Sequence, residues 1–375
     1  MLYRMLCGEQ VSTLGFGCMR LVTADGGIDE PEAIRQIHHA FDQGVNYIDT
    51  AYGYHGGASE PLVGKALTGG LRDDIFVATK LPVWMVDSLE DADRLFDEQL
   101  ERLQTDYIDF YLLHSLVGES WDKVHGLGAL DWLQGLLDAG RIRHAGFSFH
   151  DDIECFKRII DAWDWGFCQI QYNYMDEYNQ AGTEGLLYAA GKDIGVIIME
   201  PLRGGPLGQP LPEDLEAKRR ELGIEWSPGQ LALRWVLDQP QAAIALSGMN
   251  RMDHLDENLA VANVTEPGCV GDDEMGFIGA IRNHLREGFK VDCTACRYCM
   301  PCPAGVNIPR IFGLYNDMSL DDPARARFGY TNMTSEDEWA SNCTECGKCE
   351  EICPQHIDII DKLKEAHAAL TAENA

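Results

Sequence analysis

The sequence predicts an α/β fold, a (β/α)8 barrel followed by a smaller cysteine-rich domain. Short apolar runs alternate with amphipathic helical patterns through roughly the first 270 residues, as expected of repeated βα units. The cysteines, in contrast, are concentrated beyond residue 290. A chain of 375 residues is also long for a single core, so a large domain with an appendage is the expected arrangement.

Eight apolar runs are predicted to be the barrel strands. They occupy residues 14–17, 45–49, 75–80, 108–114, 144–148, 168–171, 196–200 and 244–248. Ser88, Asp151 and Ser227 are expected to cap the amino ends of three intervening helices. An open doubly wound sheet is the rival fold, but it usually carries G-x-G-x-x-G after its first strand, a pattern that "LGFGCMRL" lacks.

The composition is strongly acidic, with a formal net charge of −31. Such a surface repels nucleic-acid phosphates and anionic lipids, so we expect neither as a partner. The N-terminal "MLYRMLCGEQ" is unlike a signal peptide, and the sequence contains no apolar run long enough to span a membrane. A cytoplasmic location follows as an expectation, and 13 cysteines there indicate metal or redox chemistry rather than disulfides.

Polar residues recur where the predicted strands end, which is where a barrel of this type carries its active groups. They are Asp49, Lys80, His114, Ser148, Gln169 and Glu200. In the loops that follow the strands, Trp84 and Trp121 are candidates for lining an apolar substrate pocket. We therefore expect a site at the carboxyl ends of the strands.

Tyr54, Lys80, Asp49 and His114 form a candidate catalytic set. A buried ammonium beside a phenol stabilises the phenolate, so Lys80 is expected to bring the pKa of Tyr54 below its usual value of about 10. Asp49 would keep Lys80 charged, and His114 would orient a carbonyl oxygen by a hydrogen bond. Together these groups would protonate a carbonyl oxygen while a hydride reaches its carbon.

The segments "NYIDTAYGYHGGASE", "IFVATKLP" and "DFYLLHSL" resemble the aldo-keto reductase family, in order and over roughly residues 1–265. The resemblance implies a (β/α)8 barrel that reduces carbonyl compounds with NAD(P)H. It implies Tyr54 as the general acid, with Lys80, Asp49 and His114 in support.

The same resemblance implies a cofactor site with two departures from the family pattern. Phe149 stands where asparagine is usual, and Met199 stands where an aromatic residue stacks on the nicotinamide. His254 aligns with the basic residue that binds the 2′-phosphate, with Arg251 close by, so the choice between NADH and NADPH stays open. The implied cofactor-binding residues are Ser148, Gln169, Met199, Gly248, Asn250, His254, Glu257 and Asn258.

Two cysteine runs, "VDCTACRYCMPCP" and "CTECGKCEEICP", characterise the C-terminal region. The predicted metal ligands are Cys293, Cys296, Cys299, Cys302, Cys343, Cys346, Cys349 and Cys353. Closely spaced thiolates followed by Cys-Pro suit an iron–sulfur cluster, and zinc bound by CxxC pairs is the alternative.

The region resembles a ferredoxin domain with two 4Fe–4S clusters. That resemblance implies Cys293, Cys296, Cys299 and Cys353 around one cluster, and Cys343, Cys346, Cys349 and Cys302 around the other. The first run departs from the pattern because two residues, not three, separate its third and fourth cysteines, and the insert between the runs is long.

We expect a barrel over residues 1–270, a connecting helix over 271–290 and a ferredoxin-like domain over 291–375. The favoured function is the interconversion of a carbonyl and an alcohol with NAD(P)H, with clusters that exchange single electrons with a ferredoxin or flavoprotein partner. A hydride carries two electrons whereas a cluster passes one, so either an external carrier or a bound flavin would have to mediate between the two halves, or the halves are not coupled. The alternatives are an electron-transfer subunit or binding scaffold of a larger redox complex, and clusters with a purely structural role.

Overall fold

The computed structural model describes residues 1–293, 297–320, 322–353 and 355–372. The chain divides into two compact units. The first unit comprises Met1–Pro210 and Leu222–Met275, and the second comprises Leu211–Glu221 and Gly276–Ala375.

The strands are, in chain order, β1 (Tyr3–Leu6), β2 (Glu9–Ser12), β3 (Leu14–Gly17), β4 (Thr23–Ala24), β5 (Gly27–Ile28), β6 (Tyr47–Asp49), β7 (Phe76–Leu81), β8 (Ile108–Leu116), β9 (Ile142–Phe149), β10 (Phe167–Gln171), β11 (Gly195–Met199) and β12 (Ala242–Ser247). The helices are α1 (Glu30–Asp42), α2 (Ser59–Ala66), α3 (Leu89–Leu103), α4 (Gly118–Gly126), α5 (Ala129–Asp138), α6 (Ile153–Asp161), α7 (Gly182–Ala190), α8 (Glu213–Glu221), α9 (Pro228–Leu237), α10 (Met252–Ala262), α11 (Asp272–Glu287), α12 (Ile308–Asp317), α13 (Pro323–Met333), α14 (Lys348–Glu351) and α15 (Ile359–Thr371).

Eight parallel strands close into a barrel in the order β3, β6, β7, β8, β9, β10, β11, β12, and β12 pairs back to β3. The predicted fold class is therefore confirmed, and each of the eight predicted strands overlaps one of these. Because all eight run in the same direction, their carboxyl ends lie at one rim of the barrel, which we call the carboxyl rim.

The hairpin of β1 and β2 was not predicted from the sequence. Leu6 and Val11 are buried in one cluster with Tyr47, Phe110 and Phe167 of the barrel interior. A Cβ atom on Gly195, at the start of β11, would lie 2.2 Å from Leu6 Cδ1. The hairpin thus packs against the amino ends of the strands, and its short, half-polar segments "YRML" and "EQVS" explain why the pattern was missed.

Two of the three predicted helix caps are confirmed. The side chains of Ser88 and Ser227 each accept a backbone N–H from the first turn of α3 and α9, respectively. The prediction for Asp151 is wrong by one residue, since Asp152 accepts the backbone N–H of Cys155 at 2.9 Å. Asp151 instead accepts the backbone N–H of Gly118 at 2.8 Å, so its carboxylate joins α4 to the end of β9.

The second unit is built around its own apolar core. Helices α12 and α15 match the amphipathic patterns "VNIPRIFGLYN" and "IDIIDKLKEAHAAL". Their buried faces contribute Ile311, Phe312, Leu363 and Leu370 to a cluster that also contains Tyr330 of α13. Among the described residues of the whole chain, none of the helices has the length and apolar character needed to cross a membrane.

Candidate active site

The structure brings Asp49, Tyr54, Lys80 and His114 together at the carboxyl rim. Asp49 is the last residue of β6, Lys80 lies near the end of β7, and His114 lies in β8. These three strands are neighbours in the barrel, and Tyr54 begins the helical turn that follows β6. We call these four residues the tetrad.

The ammonium of Lys80 is the centre of the tetrad. The Lys80 side chain is completely buried, and its Nζ donates to Asp49 Oδ1 at 2.6 Å. It also donates to the backbone carbonyl of Thr50 at 2.7 Å and to Tyr54 Oη at 3.4 Å. An ammonium has three N–H donors, so these three acceptors account for all of them.

The pKa values of Lys80 and Tyr54 both lie above their usual values. Burial alone would lower the pKa of Lys80, but the charge of Asp49 and the contact with Tyr54 together outweigh burial and raise it. For Tyr54, burial raises the pKa, and the opposing effect of Lys80 is smaller than the combined effect of burial and Asp49. The expectation of a pKa below 10 for Tyr54 is thus not met, because burial of the phenol, together with the charge of Asp49, outweighs the opposing effect of Lys80. The phenol therefore holds its proton at neutral pH.

His114 faces Tyr54 across the rim. The two ring centroids are 5.9 Å apart in an edge-to-face arrangement, and the Trp84 ring lies 5.1 Å from His114 on another side. Burial, followed by the positive charges of Lys80 and His150, holds the pKa of His114 well below 6.5. Its Nδ1 is buried and has no hydrogen-bond partner among the described residues. The imidazole is therefore neutral at pH 7 and retains hydrogen-bonding capacity.

The two loop tryptophans have different environments. Trp84 is 54% exposed beside His114, which places an aromatic face next to the tetrad. Trp121 is only 3% exposed and packs near the rings of His125 and Trp165. Trp84 is thus the tryptophan positioned to contact a ligand at the rim, whereas Trp121 is a core residue.

A buried polar layer beneath Lys80 was missed by sequence reasoning. Glu60 of α2 is fully buried and accepts from Thr79 Oγ1 at 2.6 Å, from Gln99 Nε2 at 2.7 Å and from Arg102 Nη1 at 3.3 Å. Gln99 of α3 also donates to the carbonyl of Lys80 at 3.0 Å. The layer ties β7 to two helices and fixes the backbone that carries Lys80. In the sequence, the signal for this layer was the presence of polar residues at positions of α2 and α3 that face inward together with their apolar residues.

Three of the predicted cofactor-binding residues lie on consecutive strands of the same rim. Ser148 of β9 and Gln169 of β10 are paired in register, and Met199 ends β11. The Ser148 hydroxyl accepts the backbone N–H of Ser115 at 2.7 Å. Gln169 Nε2 donates to Asp49 Oδ2 at 3.0 Å, so this side chain touches the tetrad directly.

Phe149 points away from this group. Its ring is buried and lies 5.1 Å from the ring of Phe156 on α6, between the barrel and the helix. Because neighbouring residues of a strand face opposite sides, Ser148 then faces the barrel interior. Phe149 therefore supplies packing at the position where the resemblance implied an amide side chain.

The remaining predicted cofactor residues lie on α10 and the segment before it. Gly248 follows β12, and a Cβ atom there would lie 2.9 Å from Arg20 Cβ. Asn258 is largely buried and donates to Ser247 Oγ at 3.0 Å, while Glu257 accepts from Ser227 Oγ at 3.1 Å. Asn250 and His254 are exposed, so their side chains are accessible to a ligand.

Arg251, at the amino end of α10, forms an ion pair with Asp253. The backbone N–H groups at the amino end of α10 suit a phosphate group, as they do at the start of other helices. The paired hydroxyl and amide of Ser148 and Gln169 likewise suit the carboxamide of a nicotinamide. The residues present are thus chemically compatible with a dinucleotide.

The C-terminal cysteines lie around one apolar core. Those packed against it are Cys293, Cys299, Cys302, Cys343, Cys349 and Cys353, and Cys346 is exposed. Cys296 lies outside the described residues. Within the described ranges, three or more potential ligands do not converge on a common point. The donor set of thiols followed by Cys-Pro nevertheless fits an iron–sulfur group chemically.

The closed parallel barrel with polar groups at its carboxyl rim defines the class of (β/α)8-barrel proteins. Within this class, residues 13–267 match the Aldo/keto reductase family, so the chain belongs to that family. Residues 292–357 match the 4Fe-4S dicluster domain, and the chain therefore carries such a domain at its C-terminus.

Similar proteins agree with this placement. The chain is 31% identical to L-galactose dehydrogenase from Arabidopsis thaliana, over 71% of this chain and 88% of that protein. It is 26% identical to aldo-keto reductase yakc [NADP(+)] from Schizosaccharomyces pombe, over 70% of this chain and 86% of the relative. The solved structure of aldo-keto reductase AKR11C1 from Bacillus halodurans (holo form) matches with a TM-score of 0.63 and 28% identity, over 75% of this chain and 96% of that one.

Proposed function

We propose that this protein interconverts a carbonyl and an alcohol with NAD(P)H at the carboxyl rim of the barrel. The observation that carries the proposal is the position of Lys80 Nζ, 2.6 Å from Asp49 Oδ1 and 3.4 Å from Tyr54 Oη. A buried ammonium shared between a carboxylate and a phenol is the arrangement that offsets negative charge developing on the phenol.

Tyr54 is the proposed general acid. Its pKa is raised by burial, so the phenol carries its proton at neutral pH and has it available for a carbonyl oxygen. As the proton leaves, the ammonium of Lys80 stabilises the phenolate, and Asp49 keeps Lys80 charged and aimed. In alcohol oxidation the same groups act in reverse, with Tyr54 taking up the proton.

His114 is proposed to orient the substrate. Its neutral imidazole lies edge to face with Tyr54 and can donate one N–H to the carbonyl oxygen. Trp84, largely exposed beside His114, is the proposed contact for an apolar part of the substrate. Substrate selection would then depend on the loops after β7 and β8.

A bound nicotinamide would supply or accept the hydride. Ser148 and Gln169 are the proposed contacts of its carboxamide, and Met199 is proposed to pack on its ring. Gly248, Asn250, His254, Glu257 and Asn258 are the proposed contacts of the adenosine half. The S. pombe relative with NADP(+) in its name supports the use of a nicotinamide dinucleotide.

We further propose two 4Fe–4S clusters in the C-terminal unit, held by the eight cysteines of the two runs. The 4Fe-4S dicluster match over residues 292–357 supports this number. The clusters would pass single electrons to a ferredoxin or flavoprotein partner. A flavin that couples the clusters to the barrel stays a prediction from electron counting alone.

The test is the variant Tyr54→Phe, compared with wild type after anaerobic purification. Iron, sulfide, flavin and nicotinamide are quantified on the same samples, and reduction of simple aldehydes is followed by oxidation of NADH or NADPH. We expect loss of carbonyl reduction with unchanged iron content. Wild-type turnover in Tyr54→Phe would refute the proposed role of the tetrad.

A second candidate is an electron-transfer subunit or binding scaffold of a larger redox complex. The observation that favours it is Phe149, whose ring packs on α6 and offers no amide to a cofactor. Tight binding of NAD(P)H together with turnover of simple aldehydes by the isolated protein would exclude this candidate. Redox titration followed by electron paramagnetic resonance separates electron-carrying clusters from structural ones.

A further inference from the structure

The structure assigns to Gln169 a positioning role in the tetrad: we infer that its amide holds Asp49 so that the carboxylate directs Lys80 toward Tyr54. This inference rests on the proposed function, since it concerns the same site. It goes beyond the predicted contact of Gln169 with a cofactor, because the contact that carries it is made to the protein itself.

The hydrogen bonds of Asp49 are divided between two partners. Oδ1 accepts from Lys80 Nζ at 2.6 Å, and Oδ2 accepts from Gln169 Nε2 at 3.0 Å. Asp49 is only 3% exposed and Gln169 only 2%, so water contributes little at either group. A buried carboxylate is stabilised by the donors that reach it, and here one oxygen is assigned to each donor.

The contact between Gln169 and Asp49 joins two strands that are not neighbours in the barrel. Asp49 ends β6, whereas Gln169 lies on β10, which is not adjacent to β6 in the barrel. The bond therefore crosses the barrel interior and fixes the second oxygen of the carboxylate, the one that Lys80 does not hold. Without it, the carboxylate would be free to rotate and to draw Lys80 Nζ away from Tyr54 Oη, a contact that is already long at 3.4 Å.

Holding Asp49 leaves Gln169 able to contact a ligand as well. A primary amide has two N–H groups and a carbonyl oxygen, of which the bond to Asp49 uses one N–H. The same side chain is thus able to contact a bound carboxamide and Asp49 together. A ligand that displaced the amide would then change the hydrogen bonding of the tetrad.

The experiment compares Gln169→Met with Gln171→Met as a matched control. Methionine is close to glutamine in size and lacks the N–H donor. Gln171 lies two residues away on the same strand and donates to Asp176 at 2.9 Å, not to Asp49. Both substitutions therefore remove a buried amide from β10, and only the first removes the donor to the tetrad.

Two readouts are measured on the full-length protein. In the steady state, we expect Gln169→Met to lower kcat roughly ten- to a hundredfold, by analogy with the loss of residues that orient metal ligands through hydrogen bonds. The dissociation constant of NAD(P)H is measured separately by fluorescence. A rise in that constant with unchanged kcat would show a cofactor contact only and would overturn the inference.

The second readout does not depend on activity. With isotope-labelled tyrosine, the Cζ resonance of Tyr54 is assigned by its loss in Tyr54→Phe and reports the hydrogen bond from Lys80. We expect it to shift in Gln169→Met and to stay in place in Gln171→Met. An unchanged resonance in Gln169→Met overturns the positioning role even if the protein proves to have no reductase activity. Failure of the proposed function is seen separately, as absent turnover in wild type.

Gln169→Glu provides the test if the methionine variant does not fold. In its protonated form, the carboxyl group introduced by this substitution would donate to Asp49 in place of the amide, whereas its ionised form would repel Asp49. The Tyr54 resonance should therefore approach its wild-type position at acidic pH and move away as the pH rises. The ionisation of the introduced carboxyl group is followed by its own carboxyl resonance, and a Tyr54 resonance that stays at the wild-type position after that group has ionised contradicts the inference.

Discussion

Lys80 Nζ and Asp49 Oδ1 lie 2.6 Å apart inside the barrel, with the lysine side chain fully buried and the aspartate side chain 5% exposed. A buried ion pair is stable only while both partners are present, because either charge alone is poorly solvated. The pair therefore links the stability of the barrel to the arrangement proposed for catalysis.

Lys80→Met should destabilise the barrel by about 3–5 kcal/mol, since it leaves Asp49 as a buried carboxylate without its cation. It should also abolish carbonyl reduction, because the phenolate of Tyr54 would lose its counter-charge. Urea unfolding followed by circular dichroism measures the first effect.

Lys65→Met is the matched control. The side chains of Lys65 and Glu30 in this ion pair are each about half exposed, so the loss of unfolding free energy should stay within about 1 kcal/mol. Equal losses in the two variants would contradict the ion-pair argument.

The kcat/KM of carbonyl reduction should be independent of pH around neutrality. The reaction needs Tyr54 protonated, a condition lost as the pH rises through its raised pKa, above 10. It also needs His114 neutral, a condition lost as the pH falls through its depressed pKa, well below 6.5. A profile of kcat/KM against pH measures both limbs. An acidic limb near 6.5 that disappears in His114→Gln would show that the pKa of His114 is not depressed.

Glu60→Gln should destabilise the barrel by about 1–3 kcal/mol. The new amide would keep one oxygen for Thr79 and Gln99 but would direct its N–H groups at Arg102, which is itself a donor. Glu98→Gln is the control, because Glu98 pairs with the same arginine at a more exposed position. Thermal unfolding measures the destabilisation in both variants. A larger destabilisation by Glu98→Gln than by Glu60→Gln would contradict the stabilising role of the buried layer.

Replacing cysteines of the two runs should remove iron without affecting the barrel. Cys302→Ser and Cys343→Ser should each lower the iron-to-protein ratio, and the ferredoxin resemblance implies that both act on one cluster. The double variant should then lose no more iron than either single variant. Cys269→Ser, at an exposed cysteine outside the runs, is the control and should retain full iron content. Additive losses in the double variant would place the two cysteines on different clusters.

Much of the fold could be predicted because its signals are local. The period of apolar residues marked the eight strands, and parallel strands necessarily bring their carboxyl ends to one rim. Asp49, Lys80 and His114 could therefore be placed together from strand ends alone. The hairpin of β1 and β2 was missed because its short strands carry few apolar residues, and burial against the barrel determines their structure instead.

The sequence by itself thus determined the barrel, the positions of the tetrad on it and the presence of a cysteine-rich second domain. Only the tertiary structure decided which polar atoms meet. Gln169 reaches Asp49 across 120 residues of chain, and Glu60 collects donors from β7 and α3. The raised pKa of Tyr54 likewise followed from burial and from the charge of Asp49, which together outweigh the effect of Lys80. The physical reason is that strand formation depends on neighbouring residues, whereas hydrogen bonding and desolvation depend on three-dimensional packing between distant ones.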